Sequence, residues 1–142
     1  MMLSRLIDGL IMGCLAINTM VAQVDPETNL IAHMVQAEAG GQCQEGLKLV
    51  IDCVLNRVDS EFFPDTATEV ILAPGQFAVV ENGAIQKAQP TDEIYDLIRQ
   101  ELNERTNYDV IYFTAGGYNP SGEPWAQVGD HYFSTIRKEL QK

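Results

Sequence analysis

Apolar residues follow one spacing in the first two thirds of this 142-residue chain and another in the last third, and this change limits the fold it can adopt. Between residues 26 and 102, apolar positions mostly recur every three or four residues, the spacing of amphipathic helices. After residue 108, the segments DVIYFTA and DHYFSTI read as strands, and a loop rich in Gly, Asn and Pro separates them. Helices followed by strands predict an α+β fold, with a helical lobe and a small antiparallel sheet.

The first two predicted helices have recognisable ends. Asp25–Pro26 is suited to the cap and first position of a helix, and Gly40–Gly41 ends that helix. A second helix covers EGLKLVIDCVLNRV at 45–58, with an apolar stripe facing the core. On this second helix we expect Lys48 and Asp52 to lie on the side that faces water.

Two further helices and one early strand are predicted before the spacing changes. The capping box TATE at 66–69 opens a short third helix. Asp92–Glu93 opens a fourth helix, whose apolar face includes Leu102. Between these two helices, QFAVV at 76–80 reads as a strand that follows the turn at Pro74–Gly75.

Residues 1–24 form an apolar segment ahead of the domain expected at 25–142. Apolar residues recur there at spacings of three and four, which favours a helix that packs on the domain or mediates self-association with a second copy. Arg5, a following apolar run and the small residue Ala22 also fit a secretory signal peptide. A membrane anchor is a third interpretation, although the run is too short for a clean membrane span.

The net charge argues against several classes of partner, and the spacing of the cysteines and histidines argues against a metal site. Nine basic and 20 acidic side chains give a net charge of −11, which argues against a nucleic-acid partner and against adhesion to anionic membranes. The three cysteines include no C-x-x-C pair, and the two histidines form no H-E-x-x-H motif. We therefore expect no metal site and no cofactor.

Glu38 occupies an unusual position for a carboxylate, at the end of the first helix on the stripe formed by Ile31, Met34 and Val35. Removal from water raises the pKa of a carboxyl group, so such an acid stays protonated nearer to neutral pH and can donate its proton. Glycosidic-bond cleavage needs such an acid, because an alkoxide leaves poorly unless it is protonated. The alternative is that Glu38 simply bends outward into solvent at the helix end.

Six short motifs follow one another in an order that resembles the spore cortex-lytic, SleB-type family of cell-wall hydrolases. The family order is roughly A-E-A-R-G-E, E-G, L-N-R, F-P, P-G-Q-F and a closing G-x-H-x-F. Each motif alone is weak, but the ordered set, from about residue 30 to residue 136, is specific. The matching residues are Ala37-Glu38-Ala39, Glu45-Gly46, Leu55-Asn56-Arg57, Phe63-Pro64, Pro74-Gly75-Gln76-Phe77, and Gly129 with His131 and Phe133.

The resemblance implies a lysozyme-like catalytic domain that cuts the glycan strand of peptidoglycan between N-acetylmuramic acid and N-acetylglucosamine. Many members act as lytic transglycosylases, and the family's catalytic glutamate falls on Glu38. Two positions depart from the pattern, because the usual Arg and second Glu of the first motif become Gly40 and Gln42. We expect a bare catalytic domain that acts at the bacterial cell wall, either secreted or released by a phage.

Five further residues are candidates for contact with the substrate. Gln76 and Phe77 follow a tight turn and are expected to line the groove. Tyr118 and Trp125 lie in the Gly- and Pro-rich loop, where exposed aromatic faces suit sugar stacking. His131 fits either a residue of the cleft or a histidine packed within a strand.

The number of carboxylates decides which chemistry we expect. An ordinary glycosidase uses two carboxylates, about 5 to 9.5 Å apart, on either side of the bond. Only Glu38 combines an apolar setting with the family match, and Asp130 is the one other candidate. We therefore expect a lytic transglycosylase, in which the C6 hydroxyl of muramic acid replaces water as the nucleophile. The alternative is a catalytically idle module that binds glycan or assembles through its apolar N-terminus.

Overall fold

The computed structural model describes residues 23–140, and in this part of the chain six α-helices precede three strands and a short 3-10 helix. The predicted α+β class is confirmed. The interpretations of the N-terminal segment, including self-association, lie outside the described residues. The elements are α1 (Pro26–Ala39), α2 (Gln44–Asp59), α3 (Ala67–Leu72), α4 (Ala78–Glu81), α5 (Ala84–Lys87), α6 (Asp92–Asn103), β1 (Val110–Ala115), β2 (Glu123–Val128), β3 (His131–Thr135) and a 3-10 helix (Lys138–Leu140).

Helix α2 is the centre of the core. It packs against α1, α3 and α6 on the helical side and against β1 of the sheet. Nearly all of its residues between Gly46 and Arg57 are buried, because neighbours cover it on several sides. The prediction that Asp52 faces water is therefore wrong: the side chain is fully buried, and its Oδ2 accepts the backbone N–H of Asn107 at 2.9 Å.

Side-chain caps fix the starts of the other main helices. Asp25 accepts the backbone N–H of Thr28 at 2.9 Å, with Pro26 in the first turn of α1, as predicted. The capping box is also confirmed, since Thr66 accepts the N–H of Glu69 at 3.1 Å at the start of α3. None of the helices within residues 23–140 has the length and apolar character needed to cross a membrane.

The segment QFAVV is not a strand. Phe77 is extended, and the chain then forms the one-turn helix α4, followed by α5 after Gly83, which has a φ of 80°. A short apolar run reads alike as strand or buried helical turn, and no described strand pairs with this segment. Val79 packs into the core, whereas Gln76 stays exposed.

The sheet has the strand order β1-β3-β2, and all its pairs are antiparallel. The two predicted strands, β1 and β3, are confirmed, but the segment between them was predicted as loop and contains the edge strand β2. Its exposed residues, including Pro124, gave no alternation of buried and exposed positions to read. Leu102 is a smaller error, since it is 56% exposed in the last turn of α6 rather than buried.

Candidate active site

A cavity of about 600 Å³ is lined by residues from both the helical lobe and the sheet. The end of α1, the last turn of α2, the turn before α4, strand β1 and the segment after β3 all contribute to its wall. The lining residues are Glu38, Arg57, Phe62, Phe63, Gly75, Gln76, Phe77, Ala78, Tyr112, Phe113, Thr114, Asn119, Ser121, Ile136, Arg137 and Leu140.

Glu38 lies half-buried in the wall of this cavity and does not extend freely into solvent. It is held there because Ile31, Met34 and Val35, on the same face of α1, are buried in the core. Burial raises the pKa of the Glu38 carboxyl, and a hydrogen bond from the backbone N–H of Val79 lowers it in part. Glu38 therefore combines access to the cavity with a bias toward its protonated form.

The short helix α4 supplies the hydrogen bond to Glu38. Val79 lies in its first turn, where backbone N–H groups have no partner within the helix. The preceding turn depends on Gly75, whose φ of 75° is in the left-handed region that favours glycine. The segment that the sequence predicted as a strand is thus the element that places a donor against the candidate acid.

Arg57 is the buried cation of the cavity wall, with only 4% of its surface exposed. Its Nε donates to the carbonyl oxygen of Ile111 at 2.8 Å, and its Nη1 donates to Oε1 of Gln76 at 3.3 Å. The rings of Phe63, Phe77 and Tyr112 surround the guanidinium, with centroids 5.1, 5.1 and 5.3 Å from Cζ. Burial lowers the pKa of Arg57, but an arginine remains charged in proteins.

Of the five candidate substrate-contact residues, Gln76 and Phe77 line the cavity, as expected from their turn. Gln76 is exposed and bonded to Arg57, while Phe77 stacks on Phe113 with ring centroids 5.8 Å apart. Both residues thus share the wall with Glu38.

The other three candidates lie outside the cavity lining. Tyr118 is 40% exposed and contacts Tyr132 edge to face, with centroids 5.1 Å apart. Trp125 is 44% exposed on strand β2, not on a loop. His131 is buried on β3, where burial lowers its pKa, and its ring packs edge to face with that of Phe113, with centroids 5.4 Å apart. It fits a packed strand histidine whose neighbour Phe113 lines the cavity.

Several lining residues were not singled out in the sequence. Tyr112 was noted only as one of several aromatics, and the burial pattern of β1, with no alternation of buried and exposed positions, offered no signal that would single it out. The polar residues Asn119 and Ser121 lie in a loop, and Arg137 follows the last strand, where no pattern of periodicity exists. Only the tertiary structure brings these residues to Glu38.

Asp130, the other candidate carboxylate, is exposed on the turn between β2 and β3 and is absent from the cavity lining. Its Oδ2 accepts from Nε2 of Gln42 at 3.0 Å, and its backbone N–H donates to Oε1 of the same residue at 3.0 Å. Among residues 23–140, Glu38 is therefore the only carboxylate that lines the cavity. In the same residues, no three His, Cys, Asp or Glu side chains are grouped in a way that could hold a metal ion.

Comparisons with known sequences give one family. The profile of the family described as Cell Wall Hydrolase matches residues 41–135, a span that begins just after Glu38. The spore cortex-lytic enzyme of Halalkalibacterium halodurans is 36% identical over 124 residues, which cover 83% of this chain and 37% of that protein. The enzyme of the same description from Oceanobacillus iheyensis is 29% identical over 127 residues, covering 85% of this chain and 46% of that protein.

Solved structures show the same fold. The catalytic domain of the Bacillus cereus SleB protein aligns with a TM-score of 0.67 and 24% identity, over 77% of this chain and 89% of that one. The catalytic domain of the germination-specific lytic transglycosylase SleB from Bacillus anthracis aligns with a TM-score of 0.68 and 24% identity, over 80% and 98%. The predicted lysozyme-like α+β fold is confirmed by these likenesses.

The chain spans less than half of the length of the curated relatives it matches. The profile nevertheless covers most of the chain, and the solved catalytic domains align over nearly their whole length. The predicted resemblance is therefore confirmed, and the chain belongs to the cell wall hydrolase family, with the fold of a SleB-type catalytic domain.

Proposed function

We propose that this chain cleaves the glycan strand of peptidoglycan between N-acetylmuramic acid and N-acetylglucosamine, as a lytic transglycosylase that acts at the bacterial cell wall. The observation that carries the proposal is the single carboxylate of the cavity: among residues 23–140 only Glu38 lines it, and burial raises the pKa of that group. Membership of the family supports the choice of a wall glycan as substrate.

Glu38 acts first as a general acid in this proposal. Its carboxyl proton passes to the oxygen that links C1 of muramic acid to glucosamine, while the bond from C1 to that oxygen breaks. The glucosamine residue leaves with a free 4-hydroxyl group, and positive charge develops at C1. The ionised Glu38 that remains is then placed to serve as a base.

The C6 hydroxyl of the same muramic acid completes the reaction. Its oxygen bonds to C1 and its proton passes to Glu38, which restores the acid for the next turnover. The product carries a 1,6-anhydro ring, and no water is consumed. A hydrolase would use a second carboxylate about 5 to 9.5 Å from the first to attack or to activate water. Asp130 is hydrogen-bonded to Gln42 on the turn between β2 and β3 and is not among the residues that line the cavity.

The substrate contacts follow the positions of the side chains. Gln76 offers an exposed amide in the cavity, and Phe77 offers part of a ring beside it. Tyr118 adjoins the lining residue Asn119 in the chain, and both Tyr118 and Trp125 are exposed. We propose that these two aromatic side chains contact sugars outside the cavity. His131 supports the wall through its contact with Phe113.

Clearing of purified cell walls tests the proposal against the alternative of an idle glycan-binding module. We expect the full chain to lower the turbidity of wall suspensions at a pH between 5 and 8, in at least one of several wall types. Folded protein that sediments with walls but never clears them would favour the idle module. The departure from the family at Gln42 does not support that alternative, because Gln42 has a structural partner in Asp130.

A further inference from the structure

Arg57 is a buried cation that no described carboxylate neutralises. The ion pairs within residues 23–140 join Arg99 to Asp96 and Arg105 to Asp59, and neither involves Arg57. The groups that influence the pKa of Arg57, the Cys53 thiol and the Tyr112 phenol, include no carboxylate. Burial of an unpaired charge is unfavourable, and the surrounding rings offset only part of that cost.

The guanidinium also keeps donors for a ligand. Arginine has five N–H donors, and the two hydrogen bonds of Arg57, to Ile111 and to Gln76, use two of them. Because Arg57 lines the cavity, a substrate group that reaches it meets a buried cation flanked by three aromatic rings. The second cation of the lining, Arg137, is exposed and donates to the carbonyl oxygen of Pro120, so solvent screens its charge.

The two sugars of the proposed substrate differ in one group that a cation recognises. Muramic acid is glucosamine with a lactyl ether at C3, and that ether ends in a carboxylate or, when a peptide is attached, in an amide carbonyl. Both forms present an oxygen acceptor. A site that must place muramic acid rather than glucosamine beside Glu38 therefore needs a donor for this oxygen.

We propose that Arg57 is the specificity-determining residue of the cavity and that it binds the terminal oxygen of the lactyl group of muramic acid, with Gln76 holding the guanidinium in place. This inference rests on the proposed function, because it assigns a contact within that substrate. It predicts that the cavity distinguishes muramic acid from glucosamine through the charge on Arg57.

Substitutions at Gln76 test this without opening the core, because Gln76 is exposed. Gln76→Glu gives Arg57 a carboxylate partner inside the protein, which competes with the lactyl oxygen. Gln76→Met is the matched control, since it removes the amide of Gln76 without adding charge. Both are made in a Glu38→Gln background, so that affinity is measured without cleavage, and thermal unfolding checks that each variant folds.

The ligands are a muramic-acid-containing glycan strand stripped of peptides and a chitin oligosaccharide of equal length, which has no lactyl group. Gln76→Glu should weaken binding of the muramic strand by about ten- to a hundredfold relative to Gln76→Met, the loss expected for a charge-assisted hydrogen bond. The affinity for the chitin oligosaccharide should change by the same small factor in both variants.

Two results would overturn the inference. Equal losses for both ligands would show that Gln76→Glu acts on the sugar backbone and not on the lactyl group. Equal affinities of the Glu38→Gln protein with an unchanged Gln76 for the two ligands would show that the cavity does not recognise the lactyl group. If wild-type protein clears cell walls in either case, the proposed function survives and only the role of Arg57 fails; if it clears none, the proposed function fails first.

Discussion

The surroundings of individual residues differ in how far the sequence predicts them, and Glu38 is the most predictable case. Its place on the apolar stripe of α1 was readable from the sequence, and the structure puts it in the cavity wall. The neighbours of Arg57 were not readable, because the three rings around it come from separate segments. Asp52 was misplaced for a similar reason: helical spacing predicts one wet face, but α2 is covered on several sides.

Substitution of Glu38 should remove most of the activity. Glu38→Gln keeps the size of the side chain and takes away the proton donor, so the rate of wall clearing should fall by at least about a hundredfold. Glu104→Gln is a matched control, since Glu104 is exposed beyond the end of α6 and lines no part of the cavity. A folded Glu38→Gln variant with wild-type activity would refute the assignment.

The raised pKa of Glu38 also predicts a pH dependence. The acid step needs the protonated form, and burial extends that form to higher pH than for an ordinary glutamate. We expect kcat/KM to fall on the alkaline side as pH rises through the raised pKa of Glu38, measured on soluble glycan strands. A fall that is already complete near the ordinary glutamate pKa of about 4.3 would contradict this reasoning.

At the scale of elements, the turn between β2 and β3 is held by a side chain from the helical lobe. Gln42 both donates to the carboxylate of Asp130 and accepts from its backbone N–H. A glutamate, the usual residue of the family at position 42, could not donate to that carboxylate. This departure therefore has a structural reason that the family pattern did not reveal.

Gln42→Glu should destabilise the protein at neutral pH by roughly 1 kcal/mol, because a hydrogen bond is replaced by two facing carboxylates at a partly exposed site. Adding Asp130→Asn reverses donor and acceptor and should restore most of the loss. Thermal or urea unfolding of the two variants measures the difference. Equal stability of Gln42→Glu and wild type would show that the hydrogen bonds between Gln42 and Asp130 contribute nothing to the stability of the fold.

A second contact between elements makes stability depend on pH. Asp52 of α2 and Glu101 of α6 are both buried, and the segment after α6 covers them through the N–H groups of Asn107 and Thr106. Burial, together with the nearby Glu101 carboxyl, raises the pKa of Asp52 to about 7, although the Asn107 hydrogen bond and Arg105 act in the opposite direction. The proton belongs to the pair rather than to one residue alone.

The sign of this effect follows from the direction of the shift. Because the folded protein holds the proton more tightly than the unfolded chain, the stability is full below the unfolded pKa of about 3.8 and is lost as pH rises to about 7. Asp52→Asn keeps an acceptor for Asn107 and removes the charge, so its melting temperature should decline less than that of wild type between pH 4 and pH 8. Parallel curves for the two proteins would contradict the explanation.

The errors in predicting elements share a physical cause. QFAVV and the β2 segment are short, and neither has a periodicity that separates strand from turn. Their conformations depend on partners elsewhere in the chain: Val79 packs on the core and bonds to Glu38, and β2 pairs with β3. The longer helices were predictable because their signals are local: apolar residues at helical spacing and, for α1, a capping residue.

Over the whole molecule, the order of helices and strands was enough to predict the α+β class, and the resemblance to the family implied the lysozyme-like fold, but neither predicted the cavity. Asn56 and Arg57 of α2 donate to backbone carbonyls of Val110 and Ile111, so the first strand of the sheet is tied directly to the central helix. Contacts of this kind join residues more than 50 positions apart in the chain, and they help to bring the aromatic residues of β1 into the same cavity wall as Glu38. No local pattern encodes them.

In the proposed mechanism a single carboxylate performs the whole reaction, and mass spectrometry of the released fragments distinguishes this mechanism from hydrolysis. Purified wall is digested to completion with the wild-type chain, and the muropeptides are analysed without prior reduction. The proposed mechanism predicts 1,6-anhydro-muramic ends, each one water lighter than the corresponding hydrolysed end. Fragments that carry only reducing-end muramic acid would contradict it, and would require a second carboxylate or another activated water at the cavity that Glu38 lines.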